Sequence, residues 1–151
     1  VFTDSMTITL GGSRVETIHP GPAHSADAAI LFFPDERAVF AVDFINVQRF
    51  PGSLAGSTFR EYADTIGAVQ ALAIETVLPG HGDAGQAPDL AEYATFLEDV
   101  ETAVAAGLAR GDTLDQILAE VRLDAYSEWL LYDARRETVI ADAYAMLTAT
   151  P

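Results

Sequence analysis

Two of the three histidines in this 151-residue chain stand where a metal ligand could stand. His24 follows Gly21-Pro22-Ala23, and His81 lies within Pro79-Gly80-His81-Gly82-Asp83, directly after a strand-like run at 76–78. Between them, Asp43 closes the apolar run 38–42. Loops held at strand ends are where α/β proteins carry functional groups. A carboxylate at the end of a buried strand is costly unless something compensates it, and a divalent cation does so. Two imidazoles and one carboxylate suit a first-row metal. His24, Asp43 and His81 are therefore the candidate metal ligands. His19, Ser25 and Asp83 are further candidates for lining a substrate site, although each also fits a hydrogen-bonding role within its loop. No side chain stands out as a catalytic acid, base or nucleophile on its own.

Composition narrows the chemistry. There is no cysteine, which excludes disulfides, zinc fingers, iron–sulfur clusters and thiol catalysis. Eight basic residues, all of them Arg, face 23 acidic ones, for a formal charge of −15. Such a chain is repelled by nucleic-acid backbones and anionic membranes, so neither is an expected partner. Half the residues are hydrophobic, which excludes wholesale disorder. No apolar run reaches the ~20 residues of a membrane helix. A soluble protein of cytoplasm or periplasm is expected. The chain begins with Val1 rather than Met, next to a strand-like run, and is expected to be a piece of a longer protein.

The elements that must position these residues are legible in part. Runs 6–10 and 14–18 read as strands joined by Gly11-Gly12, a hairpin signal. Runs 28–33 and 38–42 are apolar nearly throughout and flank the turn Pro34-Asp35-Glu36-Arg37. Strands apolar on both sides are covered on both faces. Thr58-Phe59-Arg60-Glu61 fits a capping box, with Phe59, Tyr62, Ile66, Val69 and Ala73 on one helical face. A short strand at 75–78 follows, so strand, helix and strand suggest a parallel crossover. From Pro88 onward the pattern is helical. One helix ends at Gly111, a second starts at Thr113 with Gln116 in capping position, and a third is expected over 127–146, with Leu130, Leu131, Ala134, Ile140, Tyr144 and Leu147 inward.

The run His24-Ser25 before a strand–turn–strand unit, Asp43 at its exit, and Pro79-Gly80-His81-Gly82 together resemble the metallo-β-lactamase-fold hydrolases. In that family these places hold the last three metal-binding motifs. The likeness covers residues 6–83, and the helical stretch beyond resembles C-terminal extensions of some members. It implies two zinc sites, with iron or manganese as substitutes: His24 on the first metal, Asp43 on both, His81 on the second. It also implies hydrolysis of an ester, thioester, amide or phosphoester by a metal-bound hydroxide. Two departures stand out. The upstream signature His-x-His-x-Asp-His is absent, and Val42 occupies a place where the family commonly has Gly. Asp43 itself falls where several β-lactam-destroying members have Cys, which points toward the thioesterase, lactonase and general hydrolase branches.

The expected fold is thus α/β: half of an αββα sandwich at 1–83, a mixed sheet with helices on one face, plus a helical extension at 84–151 packed on it. The piece alone is expected to lack a complete active site, to hold metal weakly or not at all, and to hydrolyse little. Its open sheet face should be covered by the missing N-terminal half of the fold or by a second copy of the chain. The alternative is a catalytically inactive α/β interaction module that keeps the fold without metal.

Overall fold

Short runs rich in Thr and aliphatic residues flank Gly11-Gly12, and in the computed structural model, which describes residues 2–149, they pair as a hairpin. β1 (Ser5–Leu10) and β2 (Ser13–Ile18) run antiparallel with Leu10 opposite Ser13. Both turn glycines have positive φ, 61° and 92°, as a two-residue hairpin turn requires. β3 (Ile30–Phe33) and β4 (Ala38–Ala41) continue the antiparallel order. The chain then crosses over through α1 (Phe59–Gln70), whose Thr58 and Glu61 form the anticipated capping box, and returns as β5 (Thr76–Pro79), parallel to β4. A two-residue strand, β6 (Gly85–Gln86), closes a six-stranded mixed sheet whose spatial order follows the sequence. Three helices follow: α2 (Ala87–Arg110), with Pro in its first turn and Gly111 as a left-handed cap, α3 (Leu114–Glu120) and α4 (Tyr132–Thr148).

Several expected boundaries move. β3 starts at Ile30 rather than at 28, because the Ala28 amide bonds back to Ser25 and its carbonyl accepts from the His19 ring. β4 stops at Ala41, and Val42 and Asp43 form a turn. Helix α4 begins at Tyr132, not 127. Leu123 and Leu131 both take left-handed backbone (φ 54° and 66°), and a 3-10 turn (Asp124–Tyr126) intervenes. The buried stripe of α4 is accordingly Arg136, Val139, Ile140 and Ala143, while Leu130 is 57% exposed. Arg136 is tolerated inside because its guanidinium donates to the Leu118 and Val121 carbonyls at the end of α3.

Cross-strand partners share a face, so the register identifies both sides of the sheet. One row, Phe32, Val39 and Val77, is buried beneath the helices. This core runs without a break into an aromatic cluster of Phe50, Phe96, Tyr126, Trp129 and Tyr132, with ring centroids 4.8–6.3 Å apart. The opposite face carries the row Met6, Thr17, Leu31, Phe40 and Leu78, beside Ile8, Val15, Phe33 and Ala38. Its aliphatic residues stay open to solvent toward β1, where Ile8 is 48% and Leu10 82% exposed. No charged residue lies on these rows, although the chain carries 23 acids. The structure thus has helices on one face and a bare apolar sheet on the other. Among the described residues no helix is long and apolar enough to cross a membrane.

An uncovered apolar sheet face of this kind would be expected to pair two copies of the isolated chain. Light scattering behind size exclusion should give a mass above the 16.1 kDa of one chain. Ile8→Lys should shift the protein toward a single chain; a wild-type peak at one chain's mass would count against the face being adhesive.

Candidate metal centre

Parallel pairing of β4 with β5 sets Ala41 opposite Pro79. Two residues beyond each strand end stand Asp43 and His81, so the register alone brings them side by side. This is the carboxyl rim of a parallel pair, where open α/β sheets bind ligands. The His81 Nε2 atom lies 3.2 Å from Asp43 Oδ1. His24, in the loop ahead of β3, reaches the same carboxylate from the other side, with Nε2 3.9 Å from Oδ2. Each carboxylate oxygen thus has a different imidazole as its neighbour. All three side chains are partly open to solvent, Asp43 at 35%, His24 at 46% and His81 at 66%.

The backbone is bent to achieve this. His24 and Asp43 have φ of 65° and 66°, a region that costs a side-chain-bearing residue roughly 1–3 kcal/mol. At Asp43 the bend is a tight turn in which the Phe44 amide donates to the Val42 carbonyl at 2.8 Å. Clearance comes from Gly80. A Cβ there would lie 3.0 Å from Asp43 Oδ1 and from Val42 Cγ1, and 3.2 Å from the Asp43 amide nitrogen. The missing glycine at 42 therefore has a counterpart across the strand pair.

Buried polar groups support the two loops. On the buried side of α1, burial and then the nearby Asp142 charge push the Tyr62 hydroxyl up to about 12, with the neighbouring His24 backbone acting in the opposite direction. Gly21 passes so close to Thr65 that a Cβ would meet Oγ1. Beyond Asp43, the buried Asn46 amide donates to the Tyr93 hydroxyl at 3.2 Å, and burial pushes the Tyr93 hydroxyl well above its ordinary range. Arg49 donates to Asn46 Oδ1 and packs against Gly82 of the His81 loop. Desolvation, then repulsion from Arg135, lowers the pKa of Arg49.

The further candidates lie elsewhere around this rim. Ser25 adjoins His24, its carbonyl engaged by the Ala28 amide. Asp83 is exposed and lines a cavity of about 370 Å³ with Arg49, Gly82, Asp89 and Glu128. His19 is turned into a structural role: its Nδ1 is 2.7 Å from the Ala28 carbonyl, and its ring lines a separate cleft with Phe2 and Asp27. Sequence reasoning missed Gly80, Tyr62, Asn46 and Arg49 as supporting residues. Only Gly80, inside the Pro-Gly-His-Gly run, carried a local signal. Among the described residues no group of three or more His, Cys, Asp or Glu side chains makes a metal site by itself. Two imidazoles and a carboxylate are nevertheless donors of the kind that would suit a divalent cation.

No family model matches the chain. Among curated proteins it is similar to the metallo-β-lactamase type 2 of Bacteroides fragilis, 28% identical over 88 residues, which is 56% of this chain and 35% of that one. Among solved structures, a metallo-β-lactamase from Pontibacter korlensis matches with a TM-score of 0.59 at 24% identity, over 65% of this chain and 47% of that one. The DIM-1 metallo-β-lactamase, in a structure exposed to ceftazidime, matches at 0.57 and 19% identity, over 65% and 46%. The chain spans about a third of the curated relative and about half of each solved chain. Its fold is that of the metallo-β-lactamases, present in part.

Two measurements probe this rim. Gly80→Ala should lower stability by about 1–2 kcal/mol through overpacking against Asp43. Gly67→Ala, on an open face of α1 where a Cβ meets nothing within 4 Å, should instead raise it by about 0.5–1 kcal/mol. Thermal melts compare them. Because the folded state raises the Tyr62 pKa from 10 to about 12, its contribution is complete below pH 10 and is lost as pH climbs toward 12. Denaturant titrations should show that loss, on the order of 2 kcal/mol, blunted in Tyr62→Phe.

Proposed function

We propose that this chain, which carries about half of a metallo-β-lactamase fold, is the C-terminal portion of a metal-dependent hydrolase of that kind. His24 would hold the first metal, His81 the second, and Asp43 both. The observation that carries the reading is the Asp43 carboxylate with one imidazole at each of its oxygens, 3.2 and 3.9 Å away, at the rim of a parallel strand pair. A bound metal pair would supply a hydroxide nucleophile at neutral pH and neutralise charge developing on a substrate oxygen. The substrate would be a small molecule with an ester, thioester, amide or phosphoester bond.

The chain's own residues prepare this chemistry. Asp43, held in its turn by the Phe44 amide and cleared by Gly80, keeps its two oxygens pointed apart toward the imidazoles. Asn46 and Arg49 tether the loop that leaves Asp43. The remaining ligands, in this reading, come from a polypeptide that bears the His-x-His-x-Asp-His signature and a sheet to lie on the bare apolar face. Two donors per metal fall below the three that a catalytic zinc normally keeps, so the chain alone should bind zinc weakly and turn over little.

Calorimetric titration with zinc tests the reading. Wild type should bind weakly and lose its metal on dialysis, and His24→Ala, Asp43→Ala and His81→Ala should each weaken binding by tenfold or more. Uptake should fall as the solution is made acidic, since imidazole binds a cation only as the neutral base. Zinc affinity unchanged in all three variants would overturn it.

A further inference from the structure

The last helix reaches back to the candidate centre. Asp142, in the third turn of α4, accepts through Oδ2 from the Ser53 hydroxyl at 2.6 Å and from the Leu54 amide at 2.7 Å. The Ser53 hydroxyl in turn accepts from the Ala55 amide at 3.0 Å. One carboxylate oxygen therefore organises three consecutive residues of the connection between β4 and α1. Charge-assisted bonds of this kind are shorter and stronger than neutral ones. The next residue is Gly56, at φ 96°, and a Cβ there would lie 3.5 Å from the His24 carbonyl oxygen. The backbone ordered by Asp142 is thus the surface against which the His24 loop rests. Neighbouring contacts from the C-terminal region reach an earlier part of the same connection, residues 48–50. Leu130 exchanges backbone bonds with Gln48 and Phe50, and Arg135 donates to the Phe50 carbonyl.

We propose that Asp142 is a positioning residue for His24, acting through the 53–56 segment, so that the C-terminal helices set the geometry of the candidate centre. Its relevance to metal binding rests on the reading of His24 as a ligand. Its structural part does not, and the two separate experimentally. Only three histidines exist, so imidazole signals resolve individually in long-range ¹H–¹⁵N spectra of the metal-free protein. Asp142→Ala should shift the His24 ring signals and leave those of His19 in place. Asp142→Asn, which keeps an acceptor oxygen, should restore them. Should Asp142→Ala fail to fold, Ser53→Ala, which removes the hydroxyl link and leaves the Leu54 amide, carries the same test. His24 signals unmoved in a folded Asp142→Ala or Ser53→Ala protein would overturn the proposal. Zinc titration of the same variants should show affinity reduced roughly ten- to a hundredfold, as loss of a ligand's support does elsewhere. A shifted His24 with unchanged zinc affinity would leave the positioning role standing and sink the assignment of His24 as a ligand.

Discussion

Everything at the rim follows from one pairing, β4 beside β5 in parallel. A parallel pair puts both carboxyl ends on the same side of the sheet, and the Ala41–Pro79 register puts the residues two steps onward in contact. An antiparallel pairing would send Asp43 and His81 to opposite edges. The crossover helix α1 makes the parallel pairing possible and also brings Tyr62 under the His24 loop. The same element that closes the topology therefore helps hold the third member of the cluster.

The two faces of the sheet divide the work of stability. Helices bury one row completely, and the aromatic cluster extends that core into the C-terminal region. The other face, free of charge in a chain of −15, is compatible only with another apolar surface. The net charge keeps separate molecules apart at long range, while the uncharged face attracts at contact. This balance accords with a sheet meant to lie against a second sheet, as in a two-sheet sandwich.

Where local chemistry determines structure, the sequence was readable. Gly11-Gly12 marked its hairpin, and Thr58 with Glu61 and Thr113 with Gln116 marked their helices. Asp43 and His81 were legible because strand-end position and residue type coincide. His24 was legible on the same grounds as His81, but its approach to Asp43 depends on tertiary packing, such as Gly56 against its carbonyl, that leaves no local pattern. β6 has two residues, too few to show any period. The start of α4 was misjudged because Leu123 and Leu131 adopt backbone that leucine rarely takes, and only packing around Trp129 and Tyr132 enforces it. Gly80 and Asp142 act across space on partners far away in the chain, which a single sequence does not reveal.

β1 closes one end of the sheet with six residues, all exposed, and no ionisable side chain falls between Asp4 and Arg14. Among the described residues no strand pairs with its outer edge, which leaves amides and carbonyls of an uncharged Ser-Met-Thr-Ile-Thr-Leu ribbon open. Strand addition there would be a different mode of self-recognition from stacking through the face: it would extend the sheet sideways and has no geometric stopping point. An edge of this kind is where sideways growth can start, and an outward-facing charged side chain is the usual guard, one that residues 5–13 lack.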